Sequence, residues 1–591
     1  MQSPPRGAPL DNSQSCGQRE KFMLLSSLLT AAFVWSCSPM QGFDIWWHLK
    51  TGQLILDQRM LPFVDWYTYS AADAPWIDLH WGFQLLAVAA DRVGGVAALV
   101  LGKAALITAA VAIGVSATRR FGVCWIQVGV WALVAVVVTG RGIVRPEILS
   151  LVFLAVWLWI ILRIHDRPRL LWCLPALLVL WVNCHALFVF GIVIFGAWAV
   201  DFGLRHVAAG RWGLAALPHD LDGSMTTPRT NVASKSSNEQ TDSRSPVSSQ
   251  QIIIVGCMLA IACLMNPYFE EGALFPLVLF RKLSIDEAFY SARVDEFTSP
   301  AAFFQEIGLR SLHLDAAALL WLMAAASFLW LVRYRSVSPL RLLLFVAFSY
   351  LGWKMIRNLS PAAIVCGVVL CENLAEVRAL RSNAREKTSS DGIGDSSVSP
   401  TRAIERRISW IVSLVLFGLA AAHLTGHWGR LTGLRDRFGV GEAPAWYAHE
   451  AAKFAGQPGF PNRAVVASFG QSAVYEFHNA PDHRVLMDGR LEVCTRETFE
   501  LYEEILRRMA MRDPAWQQLL GPPDEHGRLP VIILDSRSAR AEINGLSGMP
   551  GWRLVFADSA AAVFITSDLA DQLGLRVADP TPLMHPPDVG G

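Results

Sequence analysis

Apolar stretches close to the length that crosses a bilayer recur through the first 425 residues, and nothing else constrains the chain as strongly. A spanning helix needs about 20 predominantly apolar residues, because inside hydrocarbon every backbone N–H and C=O must be satisfied within the protein. About eleven runs approach that length: 22–40, 96–117, 121–139, 147–162, 170–182, 186–203, 251–265, 314–332, 341–353, 359–371 and 408–423. Composition agrees, since 53% hydrophobic against 17% charged residues and a mean hydropathy of +0.35 are too apolar for a typical soluble domain. The expected fold class is an α-helical polytopic membrane protein with about 11 transmembrane helices.

Arginine and lysine collect in alternate loops, at Arg119 and Arg120, at Arg163, Arg167 and Arg169, at Arg205 and Arg211, at Arg333, Arg335 and Arg341, and from Arg378 to Arg407. Cytoplasmic loops retain positive charge, so the amino terminus is expected inside a cell inner (plasma) membrane, with the intervening loops and the carboxy-terminal region outside. Residues 1–20, with Pro4, Pro5, Gly7 and Pro9, read as a disordered lead. Phe22 to Met40 is long for a signal peptide and is read as a retained anchor. The polar stretches 217–250 and 382–401 lack the apolar content for a core and read as disordered cytoplasmic loops. A net charge of +1 without a basic, aromatic-interleaved stripe points away from nucleic acid. Most of the ten cysteines sit in apolar runs, where the thiol packs as a small hydrophobe, and no paired spacing suggests zinc.

Beyond residue 425 the pattern changes. Ala464–Ser468, Arg484–Met487, Val531–Leu534 and Ala561–Ile565 read as short buried strands, while Glu497–Met509 has helical apolar spacing. This is an expected extracytoplasmic α/β domain over roughly 440–570, followed by a flexible tail, 571–591.

Chemistry-bearing residues gather in the loops expected outside. The first holds Asp44-Ile-Trp-Trp-His48, then Asp65 and the Trp76–Trp81 stretch with Asp78; the second is Arg141-Gly-Ile-Val-Arg145-Pro-Glu147. Later come Asn183-Cys-His185, Asn266-Pro-Tyr268, Asp295-Glu296 and Lys354-Met-Ile-Arg357. Cations at these helix ends run against the topological bias and are costly near hydrocarbon unless paired or wet. Phosphate would account for them, because the planar arginine fork makes two parallel hydrogen bonds to it.

Each residue also has a structural reading. Asp44 suits a helix N-cap, Trp46 and Trp47 suit interfacial anchors, and His48 and His185 lack metal-ligand spacing and read as satisfied polar histidines. Asp65 and Asp78 either line a site or form turns. Pro146 and Glu147 fit a first helical turn, which leaves Arg145 between a phosphate contact and an ion pair. Asp295-Glu296 reads as a solvated acidic turn within a long loop, 267–313, that could also close as a lid; Asp488-Gly-Arg490 reads as a type I turn.

The pattern Asp44-x-Trp-Trp-His-Leu-x-x-Gly52, Pro62-x-x-Asp65, Trp76 to Trp81, Arg145-Pro-Glu147 and Trp181-Val-Asn-Cys-His185 resembles bacterial membrane glycosyltransferases of the GT-C superfamily, of the mannosyl- or arabinosyltransferase kind. The resemblance implies a sugar donor carried on polyprenyl phosphate, transfer of a hexose or pentose to an extracytoplasmic glycan, lipid or protein, and Asp44 as catalytic base or metal support. Many members have two adjacent acids where this chain has Asp44-Ile45, so a divalent metal stays open. The same resemblance implies that Arg141, Arg145 or Arg357 stabilises the departing lipid phosphate, with inversion at the anomeric carbon. His48, Asp65, Asp78 and His185 complete the expected substrate-binding set. Two other classes compete: a noncatalytic scaffold or sensor whose outer domain binds, and a lipid or solute transporter, which should carry ionisable residues at mid-membrane and broken helices or repeats.

Overall fold

The computed structural model describes residues 17–118, 120, 122–140, 142–212, 247–307, 311–389, 400–427 and 437–584. Its helices are α1 (Gln18–Ser36), α2 (Ile45–Gln58), α3 (Trp81–Ala117), α4 (Trp125–Thr139), α5 (Glu147–Ile161), α6 (Cys173–Val182), α7 (Val189–Trp212), α8 (Ser249–Leu264), α9 (Phe269–Ile285), α10 (Glu287–Ser291), α11 (Pro300–Ile307), α12 (Leu312–Arg333), α13 (Pro339–Lys354), α14 (Leu359–Ser389) and α15 (Pro400–Leu424). Each of the eleven apolar runs falls on one of them.

Length and composition mark four described helices as able to cross a membrane, Trp81–Ala117, Ala186–Arg205, Leu312–Arg333 and Ala403–Leu424, and a fifth if α8 and α9, bent by 93°, form one span. That is not the expected eleven. Helices α4 and α5 have 15 residues each and so rise only about 22 Å, less than a hydrocarbon core of about 30 Å. Helix α3 is broken at Gly94 and Gly95, the latter at φ 58°. A side chain there would be strained, and the apolar run beginning at 96 is the second arm of this bent helix.

Three polar or loop assignments change. The segment 267–313 carries α9, α10, the 3-10 turn Asp295–Phe297 and α11 rather than a long loop. Helix α14 continues to Ser389 because Glu372 onward is rich in good helix formers. Ser249 and Gln250 begin α8, whose start is closed by a capping box between Ser248 and Gln251. Short helices at Ser567–Gln572 and Thr581–Met584 occupy part of the expected tail. The rest of the expected lead, loops and tail lies outside the described residues.

The carboxy-terminal region holds a five-stranded sheet of β1 (Arg463–Ala467), β2 (Arg484–Val485), β3 (Val531–Asp535), β4 (Trp552–Ala557) and β5 (Ala561–Thr566), in the order β2-β1-β3-β5-β4. Strand β1 runs parallel to β2 and β3, while β5 is antiparallel to β3 and β4. Only β4 escaped the sequence reading, since a register shift between Leu554 and Phe556 interrupts the period of two.

Alternation along the strands divides the sheet into two buried faces. Ala464, Val466, Val531 and Ile533 pack with Trp46, Trp47, Tyr67 and Trp76, whereas Val465, Ala467, Ile532 and Leu534 pack with Phe499, Tyr502 and Trp516 and with Phe289, Tyr290 and Phe297. Both faces are therefore covered, as parallel strands require. Trp46 and Trp47 are core residues rather than interfacial anchors: Trp46 meets Tyr447 at 5.2 Å and Phe477 at 5.0 Å between ring centroids.

The first loop is also stitched to the sheet edge. Val485 N–H donates to Tyr67 O (2.8 Å), Tyr69 N–H donates to Val485 O (2.9 Å), and Ser70 Oγ donates to Leu486 O (2.5 Å). Thr68 thus forms an isolated parallel bridge with Val485 of β2, which ties the first loop to the sheet edge.

Candidate active site

Asp44 immediately precedes α2. Its carbonyl accepts the His48 N–H at 3.1 Å, but its side chain makes no capping hydrogen bond. The carboxylate instead lies with Oδ2 2.8 Å from Nη2 of Arg145, the residue before the Pro146 turn that opens α5. Nη1 of Arg145 pairs with Glu296, and its buried Nε has no hydrogen-bond partner. Burial works against the guanidinium charge, but Asp44, Glu296 and Glu147 outweigh it and hold Arg145 above its ordinary range. The side chains of Asp44, Arg145 and Glu296 are 29%, 20% and 25% exposed, so water and a small ligand can reach all three. Glu296 is therefore no solvated turn residue.

The α9–α11 segment that carries Glu296 is clamped from two sides. Lys354 binds Glu287 (2.5 Å), the Ile356 N–H donates to Thr298 O (3.0 Å), and the Arg357 guanidinium lies 5.3 Å from the Phe297 ring centre. From the carboxy-terminal region Arg496 binds Asp286 (2.8 Å), Arg293 binds Glu503 (2.6 Å), and Lys282 donates to Leu491 O and Cys494 O. Gly489 comes close as well, since a Cβ placed there would sit 3.6 Å from Asp44 Oδ1.

Behind this group lies a buried histidine row. His48 and His185 each lie next to His80, at 5.4 and 5.5 Å between ring centroids. Burial, reinforced by the charges of His80 and Arg145, pushes His48 well below the ordinary imidazole range. Asp78 is buried and accepts from Gln84 Nε2 (2.7 Å) and the His80 N–H (3.0 Å), with His80 Nδ1 3.1 Å away. Burial opposes the charge on His80, but the hydrogen bond and charge of Asp78 prevail and raise it. His185 Nδ1 is 2.9 Å from Ser150 Oγ, which accepts from Trp181 Nε1 at 2.8 Å.

Asp65 lies elsewhere. It is wholly buried, accepting from the Thr68 N–H (2.9 Å), Thr68 Oγ1 (2.5 Å) and Arg490 Nη2 (2.6 Å). Arg490 also donates from Nε to Asp488 Oδ2 (2.8 Å) and is sandwiched between Tyr67 and Trp76. The Asp488-Gly-Arg490 segment is thus a buried lock onto the first loop, beyond what a surface turn requires. A charged triplet just past the end of a parallel strand was the available signal, because clefts form at carboxyl ends of such strands. Arg141 lies outside the described residues.

Glu476 sits beside this lock with its carboxylate fully buried. Burial, then the neighbouring charge of Asp488, raises it well above the ordinary carboxylate range. A raised group contributes its full stability below its unfolded pKa of about 4.3 and loses it as pH rises through the folded value. Glu476→Gln should therefore raise the unfolding temperature of detergent-solubilised protein at pH 8 and leave it nearly unchanged near pH 4. Equal unfolding temperatures at pH 8 would count against a protonated Glu476.

Among the described residues, no group of three or more His, Cys, Asp or Glu side chains could hold a metal ion, and Asp44 is engaged by a guanidinium. No step is assigned to a divalent cation.

No protein-family model matches the sequence, and no curated protein does. Solved structures match nonetheless. The apo oligosaccharyltransferase of Archaeoglobus fulgidus aligns at TM-score 0.51 and 12% identity over 93% of this chain and 75% of that one. AglB from the same organism, in complex with an inhibitory peptide and a dolichol-phosphate, aligns at 0.50 and 13% over the same shares. ArnT from Cupriavidus metallidurans bound to undecaprenyl phosphate gives 0.45 at 12%, over 94% of this chain and 99% of that one. At these identities the likeness to the oligosaccharyltransferase structures is one of fold.

Proposed function

We propose that this chain is a membrane glycosyltransferase that moves a sugar from a polyprenyl-phosphate carrier to an acceptor hydroxyl at the sheet-bearing end of the helix bundle. The observation that carries the reading is the Asp44–Arg145 pair, 2.8 Å apart and partly open to solvent, in a fold similar to an enzyme whose structure holds a dolichol-phosphate. A lipid phosphate supplies the anion that a part-exposed guanidinium with an unused, buried Nε donor accommodates.

In this reading the donor phosphate takes up Arg145 and loosens its hold on Asp44. The carboxylate accepts the proton of the acceptor hydroxyl as that oxygen bonds to the anomeric carbon. The bond from that carbon to phosphate oxygen breaks on the opposite side, its electron pair leaving with the lipid phosphate, and the configuration inverts. Arg145, positioned before the reaction starts, stabilises the charge that develops on the leaving group. The reading places the protein in a plasma membrane with the sheet outside, where carrier-linked sugars and acceptors meet.

Proteoliposomes offered radiolabelled polyprenyl-phosphate-linked hexoses and pentoses should release polyprenyl phosphate and form labelled product. Arg145→Lys keeps the charge but loses the fork, and should lower transfer by roughly tenfold or more. Failure of wild-type protein to consume any of these donors would leave the scaffold or sensor reading in its place.

A further inference from the structure

The starts of α1 and α15 lie side by side, while their other ends approach the sheet-bearing region, where His423 Nε2 is 3.4 Å from Cys37 O and the Gly439 N–H donates to Cys37 O. Between these starts opens a groove of about 580 Å³ lined by Arg19, Glu20, Arg406, Arg407, Trp410 and Ile411. We propose that it seats the phosphodiester headgroup of an acidic phospholipid in the leaflet remote from the sheet.

Position and charge carry the inference. Helix α15 changes character within the groove: Glu405, Arg406 and Arg407 give way to Ile408 and then to an apolar stretch that belongs to a membrane-length span. Just past that change Trp410, Ile411 and Leu414 are exposed, as is Phe22 on α1, so lipid-facing surface begins where the arginines end. The guanidinium groups consequently sit at headgroup depth. Three cations face one carboxylate, which leaves the groove electropositive, and arginine forks match phosphodiester oxygens. A tryptophan at the same level is the usual companion of a membrane interface, and basic clusters beside a span are the recognised signature of anionic lipid. A protein partner fits less well, because the apolar side of the groove continues into the surface that hydrocarbon covers.

The test uses full-length protein in nanodiscs containing phosphatidylglycerol or phosphatidylcholine with a photoactivatable group near the headgroup, with crosslinks mapped by mass spectrometry. Peptides from the start of α15 should be labelled at least fivefold more by the phosphatidylglycerol probe. Arg406→Gln/Arg407→Gln should bring that labelling down to the phosphatidylcholine level, while Arg406→Lys/Arg407→Lys should keep most of it. Labelling of α12, on other faces of the bundle, should stay constant and so reports intact folding in each variant. Equal labelling of α15 by the two probes in wild type, or undiminished preference in the glutamine variant, would overturn the proposal.

Discussion

On the proposed reading, Asp44→Asn should lower sugar transfer by about a hundredfold or more, the scale expected when a general base is removed and equivalent to about 2.7 kcal/mol of barrier, and leave the protein folded. Two features of the site separate the catalytic effect from a structural one. The Asp44 side chain makes no hydrogen bond to the start of α2, so its loss does not uncap the helix. Arg145 keeps Glu296 as a partner, so the substitution does not strand a buried cation, and asparagine can still accept a hydrogen bond from it. The effect should therefore appear in kcat, with KM for the carrier-linked donor unchanged or improved as Arg145 becomes freer to meet phosphate. Release of polyprenyl phosphate in proteoliposomes, normalised to protein that unfolds at the wild-type temperature, measures it. Wild-type turnover in the asparagine variant would move the base to another carboxylate, with Glu296 the first to examine.

How far the site could be read in advance depended on whether its partners were local. Helix positions followed from apolar runs, because the signal that drives a segment into a helix is carried within the segment. The other four strands of the sheet were legible as short buried runs for the same reason, and β4 was lost to its register shift. The first loop and Arg145 stood out because a carboxylate and a cation beside membrane-length runs need a reason. Their pairing was invisible, since Arg145 meets a residue 151 positions away in Glu296 and Asp65 meets one 425 positions away in Arg490. Trp46 misled for a physical reason: a tryptophan after an apolar run serves equally as an interfacial anchor or as a plug beneath another layer. Only the sheet lying over it decides between the two. The span count is a different case, because a run of apolar residues reports burial in hydrocarbon or in protein alike, and α4 and α5 contribute to the buried core of the bundle.

Arg490→Met should destabilise the protein more than any other single change to the lock, by about 3–5 kcal/mol, the cost of leaving buried charge uncompensated. Methionine retains an unbranched apolar stem between Tyr67 and Trp76, so packing changes little. What disappears is the cation that lies 2.6 Å from Asp65 and 2.5 Å from Asp488, all three side chains being inaccessible to solvent. The acids come from opposite ends of the sequence, so their repulsion acts directly to separate the first loop from the sheet edge, and with it the seat of Asp44. The pH dependence distinguishes this mechanism from ordinary loss of packing. Burial alone would raise Asp65, but Arg490 and the hydrogen bonds from Thr68 hold it below its ordinary value. A depressed carboxylate contributes stability above its unfolded pKa of about 3.9 and loses it as pH falls through the folded value. The gap between wild type and Arg490→Met should consequently be full at pH 7 and narrow below about pH 4. Adding Asp65→Asn to Arg490→Met should recover part of the loss at pH 7, since one stranded charge is then removed. Urea unfolding of detergent-solubilised protein at the two pH values decides the matter. A gap independent of pH, with no recovery in the double variant, would reduce Arg490 to a space-filling residue and remove the electrostatic link between the sheet and the loop that carries Asp44.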